Sequence, residues 1–162
     1  MISHRLAICL LVVLSVPVDT VAQDRIIGVV SVIDGDTIEI HGQRIRLFGI
    51  DAPESSQLCI RVSGERWRCG QQASFALADR IGRASVSCRS RDIDRYGRVI
   101  AVCFKGSEDL SRWMVVNGWA VAYRHYSEDY VPEENAARRS RTNIWSGDFD
   151  LPWDWRAQHR RR

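Results

Sequence analysis

Five short runs rich in β-branched residues, separated by turn dipeptides, and helical patterns outside them predict an α+β fold. The expected core is a five-stranded β-barrel with about three helices. The strand-like runs are 26–33, 37–41, 44–50, 84–89 and 97–104. The length of 162 residues suits one domain with a real core. No internal repeat or low-complexity linker divides the chain.

Taken in order, residues 1–22 carry Arg5, an apolar run over 6–16, Pro17 and the small-residue stretch Thr20-Val21-Ala22. This is the layout of a secretory signal peptide cut after Ala22. The apolar run falls well short of the ~20 residues that a membrane span needs. The mature chain is therefore expected to leave the membrane and to work in the periplasm or outside the cell. Residues 23–147 are expected to form the domain and 148–162 a basic tail containing Trp153 and Trp155. Export also decides how the cysteines are used. Cys9 leaves with the signal, and the even set Cys59, Cys69, Cys88 and Cys103 predicts two disulfides. Cys88 and Cys103 fall on adjacent strand-like runs and can face each other across a hairpin, which pairs Cys59 with Cys69. A zinc site is disfavoured, because there is no C-x-x-C spacing and the histidines are scattered.

Within the domain, segment 55–70 is polar and is expected to be an irregular surface loop closed by its disulfide. Phe75, Leu77, Ala78 and Ile81 recur near helical spacing over 71–81, and Gly82 stops that helix. Ser107 is the expected N-cap of a second helix, with Glu108 and Asp109 in its first turn and Leu110, Trp113, Met114 and Asn117 along it. Residues 119–123 are short and extended. Pro132 opens a third helix, with Glu133 and Glu134 early and Arg138, Arg139 and Arg141 late, as the helix dipole favours. Five strands with interspersed helices match a barrel of the oligonucleotide-binding (OB) type.

The formal charge of +3 is too mild to demand a polyanionic partner. The kind of charge says more, since Lys105 is the only lysine and every other strong base is arginine. The guanidinium fork suits phosphate, although a solvated basic face accounts for most of these side chains. The arginine-rich tail with Trp153 and Trp155 either grips single-stranded nucleic acid by stacking and charge or is a loose end.

Chemistry concentrates in Val32-Ile33-Asp34-Gly35-Asp36-Thr37 and in Arg46-Leu47-Phe48-Gly49-Ile50-Asp51-Ala52-Pro53-Glu54. Asp34-Gly35 is a tight-turn dipeptide between apolar strands. Clustered carboxylates repel unless a cation or a basic group holds them. An all-oxygen set suits Ca²⁺ or Mg²⁺ better than zinc or copper. Arg46 stands on a strand between apolar residues, where an inward arginine needs an anionic partner. By itself Asp94-Arg95-Tyr96-Gly97-Arg98 is a turn, but beside the acidic cluster it brings a second arginine. Phosphodiester cleavage needs a cation on the non-bridging oxygens, a group to activate water, and positive charge on the developing phosphorane. Asp36 with Asp51, Glu54, and Arg46 with Arg98 supply these in turn.

The blocks D-G-D-T, R-L-F-G-I-D-A-P-E, D-R-Y-G-R, A-Y and N-I-W resemble the staphylococcal nuclease (thermonuclease) family, in its order and at similar spacing, over about 26–145. The resemblance implies a five-stranded OB-type barrel with three helices that cleaves DNA and RNA with Ca²⁺. Matched residue by residue, it implies Asp36 and Asp51 as calcium ligands, the backbone carbonyl of Ala52 as a third, and Asp34 in the outer shell. Glu54 becomes the general base, or positions the attacking water. Arg46 and Arg98 bind the scissile phosphate, and Tyr96 and Tyr123 match positions that contact the nucleotide. The products implied carry 3′-phosphates. Ala52 stands where the family often has threonine, and segment 55–70 departs from the family's lysine-rich loop. The expected partners are DNA and RNA, single-stranded or frayed, acted on by a monomer. The alternative is a non-catalytic module that binds nucleic acid or protein on the same barrel. A pure binder would have no reason to keep Arg46, Asp51, Glu54 and Arg98 together.

Overall fold

The computed structural model describes residues 25–159. The expected signal peptide, residues 1–22, lies outside the described residues. The first strand pair shows how the barrel closes. β1 (Arg25–Val29) runs antiparallel to β8 (Ser85–Ile93), and after Val30 the same chain continues as β2 (Ser31–Val32), which pairs with β3 (Thr37–Ile40). From β3 the ladder passes to β4 (Gln43–Leu47), then in parallel to β9 (Val99–Lys105), and antiparallel back to β8. One interrupted strand thus bridges both ends of a curled sheet, and five long segments make the barrel, as the β-branched runs predict. The β3–β4 hairpin turns on His41-Gly42, both at positive φ, the geometry that a two-residue turn requires. Ile38, Ile40, Ile45, Leu47, Val86 and Ala101 fill the interior.

The second half of the chain covers this barrel. α1 (Cys69–Ile81) buries Ala73, Leu77 and Ile81 against it. α2 (Leu110–Val116) adds Leu110, Met114 and Val115, and α3 (Val131–Arg139) packs through Ala137 with Pro132 in its first turn. The cap of α2 corrects the sequence expectation. Glu108 and Asp109 form a short strand, β10, on Lys105 and Phe104, so helix entry is delayed and Asp109, not Ser107, accepts the Arg112 N–H. Among the described residues no helix is long and apolar enough to cross a membrane.

Both expected disulfides are present. Cys88 and Cys103 are directly opposite each other on β8 and β9, and Cys59 is bonded to Cys69. The loop between the latter is more ordered than its polarity predicts. β6 (Cys59–Arg61) and β7 (Arg66–Trp67) pair, and β12 (Gly147–Asp148) adds to β6 from the far end of the chain. A second small core of Cys59, Cys69, Val121 and Ile144 lies beneath, with Trp67, Phe149 and Trp153 packed on it. From this platform the chain enters a fourth helix, α4 (Pro152–His159), where the sequence left only a tail.

Candidate active site

β5 (Ile50–Asp51) leaves the barrel beside the 33–36 turn and pairs with β11 (Val121–Ala122), which sets Asp51 opposite Val121. The turn reaches the same place from below. Gly35 lies so close to the chain that an added Cβ would stand 2.7 Å from the Ala52 Cβ. This contact lets the Asp36 Oδ2 accept the Ala52 N–H at 3.0 Å, while Oδ1 accepts the Thr37 hydroxyl at 3.0 Å. Asp36 and Asp51 are almost wholly buried.

Arg46 joins the two acids. Its Nη2 lies 3.0 Å from the Asp36 Oδ2 and 2.6 Å from the Asp51 Oδ1. The inward arginine therefore has the anionic partners that its position on β4 demands. Burial opposes ionisation of Asp36, yet Arg46, the Ala52 N–H and Thr37 hold its carboxyl below the usual range. At Asp51 burial wins and raises the pKa, against the hydrogen bond from Arg156. Asp34 accepts the Asp36 N–H at 3.1 Å, and burial plus the Asp36 charge push its carboxyl up to about 7. The carboxylates of the floor are thus balanced by the guanidinium groups of Arg46 and Arg156.

Glu54 stands at the mouth of the loop after Pro53. Its carbonyl accepts from Gln57 N, and its N–H donates to the Gln57 Oε1. Gly70 closes this corner, since a Cβ there would lie 1.7 Å from the Glu54 carbonyl oxygen. Across the cleft, Arg98 is aimed by Asp94, whose Oδ2 takes the Arg98 Nε at 2.8 Å and whose Oδ1 takes the N–H of Tyr96 and of Arg98. With Nε committed, the two Nη groups are what Arg98 can offer to an anion. A cavity of ≈ 470 Å³ opens between these groups, lined by Arg46, Glu54, Tyr96, Arg98 and Tyr123. All five are sequence-predicted residues, and the structure brings them to one cleft, with Asp36 and Asp51 linked to it through Arg46.

The cleft's remaining wall is α4, which the sequence marked only as a basic, Trp-containing tail and not as a helix. Trp153 stacks on Tyr123 with ring centroids 5.4 Å apart, and Trp155 and His159 stack on each other at the cavity edge. Arg156 reaches inward. Its Nη2 is 2.7 Å from the Asp51 Oδ2, and its Nη1 is 3.0 Å from the Asp51 Oδ1 and 2.8 Å from the Glu54 Oε1. Buried Gln57 anchors the approach to α4 by donating to the Asp150 carbonyl at 2.7 Å. The available signal was Pro152 followed by Asp154, a helix-start pattern within the tail. Nothing local marks Gln57.

Among the described residues no group of three or more His, Cys, Asp or Glu side chains is placed to hold a metal. The pair Asp36 and Asp51 supplies hard oxygen donors only. Such a pair fits a cation of high coordination number that completes its shell with backbone carbonyl, water and substrate oxygens.

Residues 44–147 match the family model described as staphylococcal nuclease homologue. The chain is 39% identical over 131 residues to the succinoglycan biosynthesis protein ExoI of Rhizobium meliloti (strain 1021), covering 78% of this chain and 68% of that one. It is 34% identical over 146 residues to the micrococcal nuclease of Shigella flexneri, covering 79% and 78%. An uncharacterized endonuclease of Haemophilus influenzae is 30% identical over 140 residues, with 82% and 73% covered. The kinship supports a nuclease, a hydrolase acting on nucleic acid, although the first of these relatives is named for another process. By fold, by site and by these matches, the chain belongs to the staphylococcal nuclease homologues.

Proposed function

We propose that the protein is an exported, calcium-dependent, sugar-nonspecific nuclease that hydrolyses DNA and RNA to 3′-phosphate products. The observation that carries this reading is the convergence of Arg46, Glu54 and Arg98 on one cleft above the buried pair Asp36 and Asp51. Asp36, Asp51 and the Ala52 carbonyl would hold the Ca²⁺, with Asp34 behind them. When bound, the cation lowers the charge on the non-bridging phosphate oxygens. Glu54 takes a proton from the attacking water, and Arg46 and Arg98 donate to the phosphate as negative charge builds on it. The P–O5′ bond breaks in line, so the phosphate stays on the 3′ side. Tyr96, 69% exposed, offers a ring face to the bases of a flexible or frayed strand, and Tyr123, stacked on Trp153, lines the cleft beside it.

The test is digestion of single-stranded DNA, duplex DNA and RNA by oxidised protein from Gln23 onward, with Ca²⁺ or a chelator, and mapping of product ends. Calcium-dependent cutting to 3′-phosphates is expected. Binding without cutting under any divalent ion would move the assignment to a nucleic-acid-binding module. Recovery of the mature chain in periplasm or medium, beginning at Gln23, tests export.

A further inference from the structure

Arg156 makes three hydrogen bonds to the acids of the site, where Arg46 makes two. It forks both oxygens of Asp51 and also holds Glu54, so one guanidinium engages an expected cation ligand and the expected base together. Asp51 already carries Arg46 on its Oδ1. With Arg156 in place both oxygens of Asp51 accept from a guanidinium, and a cation sharing that carboxylate would meet the repulsion of two positive charges. Arg46 cannot move cheaply, because it stands on a core strand and also binds Asp36. Arg156 can. Its side chain is 28% exposed, it hangs on an eight-residue helix, and a long flexible stem lets the head swing without unwinding that helix.

We propose that Arg156 is a resident occupant of the cation position. It neutralises Asp51 and Glu54 in the substrate-free protein, and it must be displaced before the site loads. This rests on the reading of Asp51 as a calcium ligand. Arg156 then sets the cation affinity of the free enzyme. A phosphate backbone entering the cleft offers the guanidinium another anionic partner, which frees Asp51 at the moment when substrate arrives. Cation and nucleic acid therefore load together, the coupling being carried by one side chain.

The test is calorimetric titration of Ca²⁺ alone into the full oxidised chain and its variants, each checked for an unchanged fold by circular dichroism. Arg156→Gln is expected to bind Ca²⁺ about ten- to hundredfold more tightly, the factor that a lost charge-assisted hydrogen bond represents. Trp153→Ala, which loosens α4 without touching a carboxylate, should move affinity the same way by less. Asp51→Asn should lose Ca²⁺ binding. Unchanged or weaker Ca²⁺ binding in Arg156→Gln, with Asp51→Asn still defective, would overturn the role of Arg156 alone. Wild-type affinity in Asp51→Asn, or no Ca²⁺ binding by any of the proteins, would overturn the ligand assignment and this proposal with it.

Discussion

Arg46 and Arg156 grip the same carboxylate, yet they come from regions of the molecule held by different physics. Arg46 projects from β4, in the middle of the closed ladder, and its two acids are nearly inaccessible to water. Burial makes each contact there strong and each unpaired charge costly. Arg156 projects from α4, which is held at the cleft by the small sheet and core, the Gln57 bond, the Trp153–Tyr123 stack and the ion pairs of Arg156 itself. An isolated helix of this length is unstable in water, so α4 exists by virtue of its docking. The site thus joins a floor set in the closed barrel to a helical wall that depends on contacts distant in sequence.

The comparison breaks most sharply at Arg46. Arg46→Ala leaves two buried carboxylates facing each other, and urea unfolding should show a loss of about 3–5 kcal/mol. A loss below 1 kcal/mol would mean that Arg156 holds the floor as well. Removing the Cys59–Cys69 bond as Cys59→Ser with Cys69→Ser should cost about 2–4 kcal/mol. The damage should centre on β6, β7, β12 and α4, visible as faster hydrogen exchange there while β3 and β4 stay protected. Uniform exchange would show that floor and wall are one cooperative unit. Trp153→Ala should cost the stacking increment of about 0.5–1.5 kcal/mol locally, with α4 amides losing protection and the barrel's unaffected.

The smallest effect concerns the Arg98 clamp. Partial burial works against the Asp94 carboxylate, but Arg98 and the backbone N–H groups outweigh it and hold its pKa below the ordinary 3.8. A depressed acid stabilises the fold above its unfolded value and loses that contribution as pH falls through the folded one. Melting temperature should therefore fall more steeply below pH 4 in the wild type than in Asp94→Asn.

The floor was largely legible in the sequence because it is local. Asp34-Gly35 marks its own turn, β-branched runs mark β3 and β4, and the inward Arg46 announces an anion. The cysteine pairing followed from strands that had to face each other. The wall was not legible, because its supports are non-local. β6 and β7 are two or three residues long and share their sheet with β12 from some 86 positions away, Gly147 against Arg61. Helix α4 carries too weak an apolar pattern to stand out, and its meaning lies in one contact, Arg156 on Asp51. The misplaced cap at Ser107 has a similar origin, since the Glu108–Asp109 bridge to β9 is a tertiary choice.

The assignment of Glu54 as the base beside the buried pair Asp36 and Asp51 is put to the sharpest trial by Glu54→Gln. Single-turnover cleavage of a labelled single-stranded oligonucleotide and binding of a short nucleotide would be measured on the same preparation with Ca²⁺. The account predicts that cleavage falls by about 10²-fold or more while binding stays within a few-fold of wild type. Cleavage that survives the substitution, or that falls only in step with binding, would contradict it.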